Sequence, residues 1–163
     1  MGAGYHGGFG ETSGARRFGV ISLDSTLVGN GHGAELAIAA KRVKKIPGFT
    51  DVAIHGAENN TTVFRKNPSG GDDISISIDQ RRLANFLKQD KGYSGGNIRL
   101  LSCKTGSETG SFAQNLANKL GVVVRAPSDT LHIYPGGQMV IGPNQFTNSG
   151  RWIDYYPQGR KKR

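Results

Sequence analysis

The chain has 163 residues, 36% of them hydrophobic and 25 of them glycine, and a formal net charge of +9. That length suits one domain with a real hydrophobic core, and a single cysteine, Cys103, excludes both an internal disulfide framework and a multi-cysteine zinc site. No apolar run approaches the ~20 residues of a membrane span, and the four histidines lack metal-ligand spacing, so no membrane span, metal or other cofactor is expected.

Residues 1–17 hold six glycines without an apolar period and read as a flexible leader. They also lack the apolar core of a signal peptide, so any export is expected to be encoded elsewhere, for example by a longer parent protein. Residues 18–157 read as a single α/β domain, and 158–163 as a tail whose Arg160-Lys161-Lys162-Arg163 supplies four of the positive charges. Within the domain, Arg17 to Leu23 is a first strand candidate. Val28 to Gly33 is glycine-dense but lacks the Gly-Lys-Ser/Thr ending of a phosphate loop and reads as a plain loop. Ala34 to Lys45 favours helix and is closed by Pro47-Gly48; its Lys41, Arg42, Lys44 and Lys45 form a basic face, either solvated or facing nucleic acid.

Asp51 to Ile54 is an apolar strand that ends in His55-Gly56. Thr61 to Arg65 alternates as a half-exposed strand, Pro68 to Gly71 turns, and Ile74, Ile76 and Ile78 alternate again, so a hairpin is expected. Asp79 is placed to N-cap a helix from Gln80 to about Lys91, with Leu83, Phe86 and Leu87 on one face. Asn97 to Leu101 is a short buried strand ending in Ser102-Cys103. A helix bearing Phe112, Ala113, Leu116 and Leu120 follows and stops at Gly121, then a strand is expected over Val122 to Val124. This alternation argues for parallel βαβ units. Leu131 to Tyr134 and Gln138 to Ile141 read as a C-terminal hairpin joined by Pro135-Gly136-Gly137, and the aromatic stretch Gly150 to Pro157 is expected to pack back on the body.

The chemistry converges on two strand ends. Open parallel sheets place ligands beyond the carboxyl ends of their strands. If the runs before His55 and Cys103 are parallel neighbours, imidazole and thiol emerge at the same edge. A thiol of ordinary pKa is a few per cent ionised at neutral pH, so a nearby imidazole helps by accepting its proton or by stabilising the thiolate. Gly56, lacking a Cβ, leaves room for a substrate carbonyl beside backbone N–H groups such as those of Gly56 and Cys103, which would hold an oxyanion. Asp129, leaving the third strand at the same edge, is a candidate to orient His55 or receive a cationic substrate group; the commoner reading is a turn-capping Asp. A lone Cys near an apolar strand is otherwise an inert core residue.

An apolar strand ending in His55-Gly56, followed by one ending in Ser102-Cys103, resembles the caspase-like cysteine peptidases of clan CD. The stretches Arg99 to Gly106, Ser111 to Gly121, Ala126 to Asp129 and Gly150 to Trp152 are similar to a C-terminal module of bacterial polymorphic toxins of the contact-dependent and Rhs type. The resemblance implies a three-layer α/β fold, a mainly parallel central sheet with helices on both faces. In it His55 and Cys103 form the catalytic dyad and Gly56 lies beside the oxyanion; Ser102 and Asp129, from their places at the strand ends, are candidates to orient or bind substrate. It also implies delivery as part of a larger secreted toxin, a protein substrate in the target-cell cytoplasm, and an acidic cognate immunity protein matching the positive charge. Two other readings stand beside this: a basic toxin nuclease using His55 with a Lys or Arg, and a non-catalytic binding module in which neither residue matters.

Overall fold

The computed structural model describes residues 19–21, 26–28, 39–65, 67–72, 74–89, 93 and 95–158; the expected leader and nearly all of the basic tail lie outside them. The protein is a mixed α/β domain on a mainly parallel sheet. Its strands are β1 (Gly19–Ile21), β2 (Thr26–Val28), β3 (Phe49–Ala53), β4 (His55–Gly56), β5 (Thr61–Arg65), β6 (Ile74–Ile78), β7 (Asn97–Leu101), β8 (Val124–Pro127), β9 (Leu131–Ile133), β10 (Met139–Ile141) and β11 (Trp152–Tyr155). Two helices, α1 (Gln80–Gln89) and α2 (Phe112–Leu120), form the crossovers before and after β7. The main sheet has the order β1-β2-β3-β7-β8-β11, in which β2, β3, β7 and β8 run parallel and β1 and β11 close the edges antiparallel.

Strand side chains alternate between faces, and here the alternation separates two cores. Val52, Ile98, Leu100, Val124 and Ala126 meet Leu83, Ala84 and Leu87 of α1 and Phe112, Leu116 and Ala117 of α2 on one face. Steps from β3 to β7 to β8 move in one direction across the sheet, and crossovers of one hand then lay both helices on the same side. On the other face Ala53 and Leu101 meet Ala40 and Val43, beside helical residues 39–42, and Leu131 and Ile141 of the β9–β10 hairpin. Among the described residues no helix is long and apolar enough to cross a membrane.

Local signals account for most boundaries. Asp79 caps α1 as expected, its Oδ1 accepting the Arg82 N–H at 2.9 Å. Gly121 ends α2 with its N–H on the Ala117 carbonyl. Four expectations need correction. The strand placed at Val122 to Val124 runs over Val124–Pro127, because its ladder starts where Val124 meets Ile98, while Val123 N–H is taken by Asn97 Oδ1; Ala126 and Pro127 therefore belong to the strand. The first helix ends at residue 42, not 45, and Lys45 folds back so that its Nζ caps the carbonyls of Ala40, Lys41 and Val43. The hairpin of β5 and β6 gains β4 as a third strand, giving a small antiparallel sheet. The C-terminal aromatic stretch does more than pack on the body: β11 is the sixth strand of the main sheet.

The second face also carries a charged ladder. Asp51, Arg99, Arg125 and Asp154 are successive cross-strand neighbours on β3, β7, β8 and β11. Arg99 grips Asp51 with two bonds of 2.7 and 2.8 Å and donates a third, of 2.9 Å, to the Lys44 carbonyl. Its guanidinium also lies 5.8 Å from the Trp152 ring. Arg125 pairs with Asp154 at 2.6 and 3.0 Å and stacks on Phe49. That hydrogen bond from Arg125 holds the Asp154 carboxyl below its ordinary value, against an opposing push from burial.

Candidate functional site

β3 and β7 are adjacent and parallel, with Ala53 opposite Leu101. The ladder continues one step further, where Ile54 N–H donates to the Leu101 carbonyl at 3.3 Å. His55 and Cys103 are thus each two residues past the same register pair. Beyond that point the chains diverge: His55 turns aside to pair with Thr62 in the small sheet, and Cys103 enters a tight turn. Both residues line one cavity of about 200 Å³, with Ser102 beside them and apolar walls from Ile54, Leu101, Leu131 and Ile133.

The turn that carries the thiol is held from three sides. Lys104 adopts a left-handed φ of 59°, a conformation that costs a side-chain-bearing residue of order 1 kcal/mol and persists only where the surroundings impose it. They impose it here: Lys104 N–H donates to the Asp129 carbonyl at 3.0 Å, Gly106 N–H to Pro127 at 2.9 Å, and Ala113 N–H to Thr105 at 3.2 Å. Gly106 packs so closely on β8 that a Cβ there would lie 2.4 Å from the Ala126 carbonyl oxygen. Cys103 itself is half-buried. Its Sγ accepts the Leu131 N–H at 3.4 Å and donates to the Leu131 carbonyl at 3.6 Å, so β9 fixes the sulfur by main-chain groups.

His55 is solvent-exposed on one side, yet burial of the rest of the ring desolvates it and pushes the imidazole below its ordinary value of 6.5. The ring is therefore neutral at neutral pH. Of the two roles expected for it, proton acceptor fits this direction and a standing imidazolium does not.

The accessory candidates fare differently. Asp129 Oδ1 accepts the Thr130 N–H at 2.7 Å, the capping role of a turn Asp. Ser102 is buried at 2% exposure, and its Oγ has no hydrogen-bond partner among the described residues. It packs against Gly56: a Cβ at that glycine would lie 2.2 Å from Ser102 Oγ and 2.6 Å from Thr105 Cγ2. The space Gly56 leaves is thus filled by the thiol-bearing turn and not held open for a substrate carbonyl. Gly56 keeps β4 and this turn in contact, which is how the structure fixes His55 relative to Cys103.

The contribution of Leu131 and Ile133 escaped sequence reading, since the hairpin read as an appendage. The signal was its length: two short apolar strands closed by Pro135-Gly136-Gly137, immediately after the third parallel strand, return the chain to the edge where that strand ended.

The chain belongs to the family described as a domain of unknown function, DUF8616, which matches residues 23–141. His55, Cys103 and both strands of the hairpin lie inside that span, and β11 lies beyond it. No curated protein and no solved structure matches the chain.

Proposed function

We propose that this domain is a cysteine-dependent hydrolase of caspase-like type, the effector part of a larger bacterial toxin, cutting protein in the cytoplasm of a target cell. The observation that carries the reading is the convergence of His55 and Cys103, from the ends of two neighbouring parallel strands, on one cavity. Neutral His55 takes the thiol proton as sulfur bonds to a peptide carbonyl carbon and the carbonyl electron pair moves to oxygen. As the oxyanion collapses, the C–N bond breaks and the imidazolium gives its proton to the leaving amine. Water then attacks the thioester with His55 again as base, releasing the acid and restoring the thiol. An acidic immunity protein fits the positive charge, since complementary potentials speed and orient association.

Parallel incubations with unfolded protein and with RNA test this against the nuclease reading. Peptide-bond cleavage that stops after treatment with iodoacetamide is the expected result. RNA degradation that survives the same treatment would move the assignment to a nuclease.

A further inference from the structure

We infer that Asn59 is a positioning residue, which sets where His55 lies relative to Cys103 by docking the β4–β5 hairpin on the first turn of α2; this rests on the thiol-hydrolase reading. β4 is two residues long, and past Ile54 the ladder to β7 gives way to pairing of His55 with Thr62 and of Gly56 with Thr61. A bond of 2.8 Å from Ala57 N–H to the Asn60 carbonyl closes this hairpin, so Glu58 and Asn59 form its tip. Close packing at Gly56 pins the hairpin to the thiol-bearing turn at one point. A single point leaves the hairpin free to swing about it, and a second is needed to fix the imidazole.

The tip supplies that second point. First-turn N–H groups of a helix have no partner within it, and here three in succession go to the two segments that carry the chemistry. Ser111 N–H donates to Asn59 Oδ1 at 3.0 Å and Phe112 N–H to the Glu58 carbonyl at 3.2 Å, both at the hairpin tip. The next, Ala113 N–H, donates to the Thr105 carbonyl at 3.2 Å, in the turn that holds Cys103. Ser111 stands at the N-cap, yet its hydroxyl also donates to Asn59 Oδ1, at 3.1 Å, so the hairpin makes the cap that the helix does not make for itself. Gly110 lets the two surfaces meet, since a Cβ there would overlap the Glu58 carbonyl. The helix is a firm seat: Phe112, Ala113 and Leu116 are at most 1% exposed in the core beneath the sheet. His55 and Cys103 thus hang on one helix end. Losing both bonds to Asn59 Oδ1 frees the tip, and misplacing a reacting group by about 1 Å costs up to about 10²-fold in rate.

The test is iodoacetamide alkylation of the whole chain near neutrality, well below the melting temperature of each variant. Asn59→Ala is expected to react about threefold or more slowly than the wild type, part of the roughly tenfold that His55 contributes. Asn59→Asp keeps the acceptor and places negative charge at a helix N-terminus, so it should stay within about twofold of the wild type. Gly110→Ala pushes the tip away without removing a bonding group and should slow the reaction as Asn59→Ala does. In a His55→Ala background Asn59→Ala should change nothing further, since its effect passes through the imidazole. An Asn59→Ala protein that melts earlier but alkylates at the wild-type rate overturns the inference. So does equal slowing with and without His55, or an Asn59→Asp protein as slow as Asn59→Ala. In each of these cases a wild-type rate that depends on His55 leaves the thiol-hydrolase reading standing. Should the wild-type rate be independent of His55, that reading falls and takes the inference with it.

Discussion

Replacing Cys103 with Ala is expected to reduce peptide hydrolysis to the uncatalysed background, a loss of about 10⁴-fold or more, because the covalent route disappears with the nucleophile. His55→Ala is expected to lower the rate by about 10²- to 10⁴-fold, the usual worth of a positioned proton acceptor. The double variant should be no worse than Cys103→Ala, since in the proposed mechanism the imidazole acts only through the thiol. Initial rates on one peptide substrate, with folding checked by circular dichroism, measure all three. Full activity in Cys103→Ala would end the thiol assignment, and a double variant much slower than either single one would show His55 acting on its own.

The largest loss of stability is expected at Arg99. Its side chain and that of Asp51 are 5% and 1% exposed, so Arg99→Met strands a carboxylate in the interior. Breaking a buried pair on one side costs about 3–5 kcal/mol, which for a domain of this size lowers the melting temperature by roughly 6–20 °C. Removing both charges together, as Asp51→Val with Arg99→Met, should recover most of the loss, because the penalty lies in the unpaired charge more than in the missing attraction. Calorimetry of the three variants checks this. The neighbouring pair of Arg125 and Asp154 is 28% and 29% exposed, and its removal should cost at most about 1 kcal/mol. Because the folded protein holds the Asp154 carboxyl below its ordinary 3.8, that contribution is present above this value and is lost as pH falls through the lowered one.

Residues whose signals are local were the legible part of this fold. Asp79 before an amphipathic run, Gly121 after one, and the alternating Ile74, Ile76 and Ile78 each fix a boundary through their own backbone chemistry. The juxtaposition of His55 and Cys103 was legible for a different reason: two apolar runs with an intervening helix become parallel strands, and parallel strands deliver their ends to one edge. What escaped depended on pairing between distant segments. Val122 to Val124 is the more apolar window, but the strand begins at Val124, since the register with Ile98 and with Trp152 to Tyr155 decides where the ladder runs. The role expected of Gly56 failed on a contact invisible in sequence, the approach of Ser102 and Thr105 to its Cα. The charged ladder left a trace that was open to reading: Asp51, Arg99, Arg125 and Asp154 each interrupt an apolar run once, and a charge inside a buried strand requires a partner across the sheet.

The most direct test of the pairing of His55 with Cys103 is the rate of iodoacetamide alkylation of the folded protein across pH 5 to 8, in the wild type and in His55→Ala. Burial lowers the imidazole's value, so the wild type should keep neutral, proton-accepting His55 into mildly acidic solution. Its alkylation should exceed that of His55→Ala by about tenfold or more near neutrality. That advantage should fade as the pH drops below 6.5, where the desolvated ring finally takes up its proton. The same linkage predicts that this residue's contribution to stability is complete above 6.5 and declines toward the lowered value. Equal rates in the two proteins across the whole range, or a thiol that reacts only on unfolding, would contradict the account.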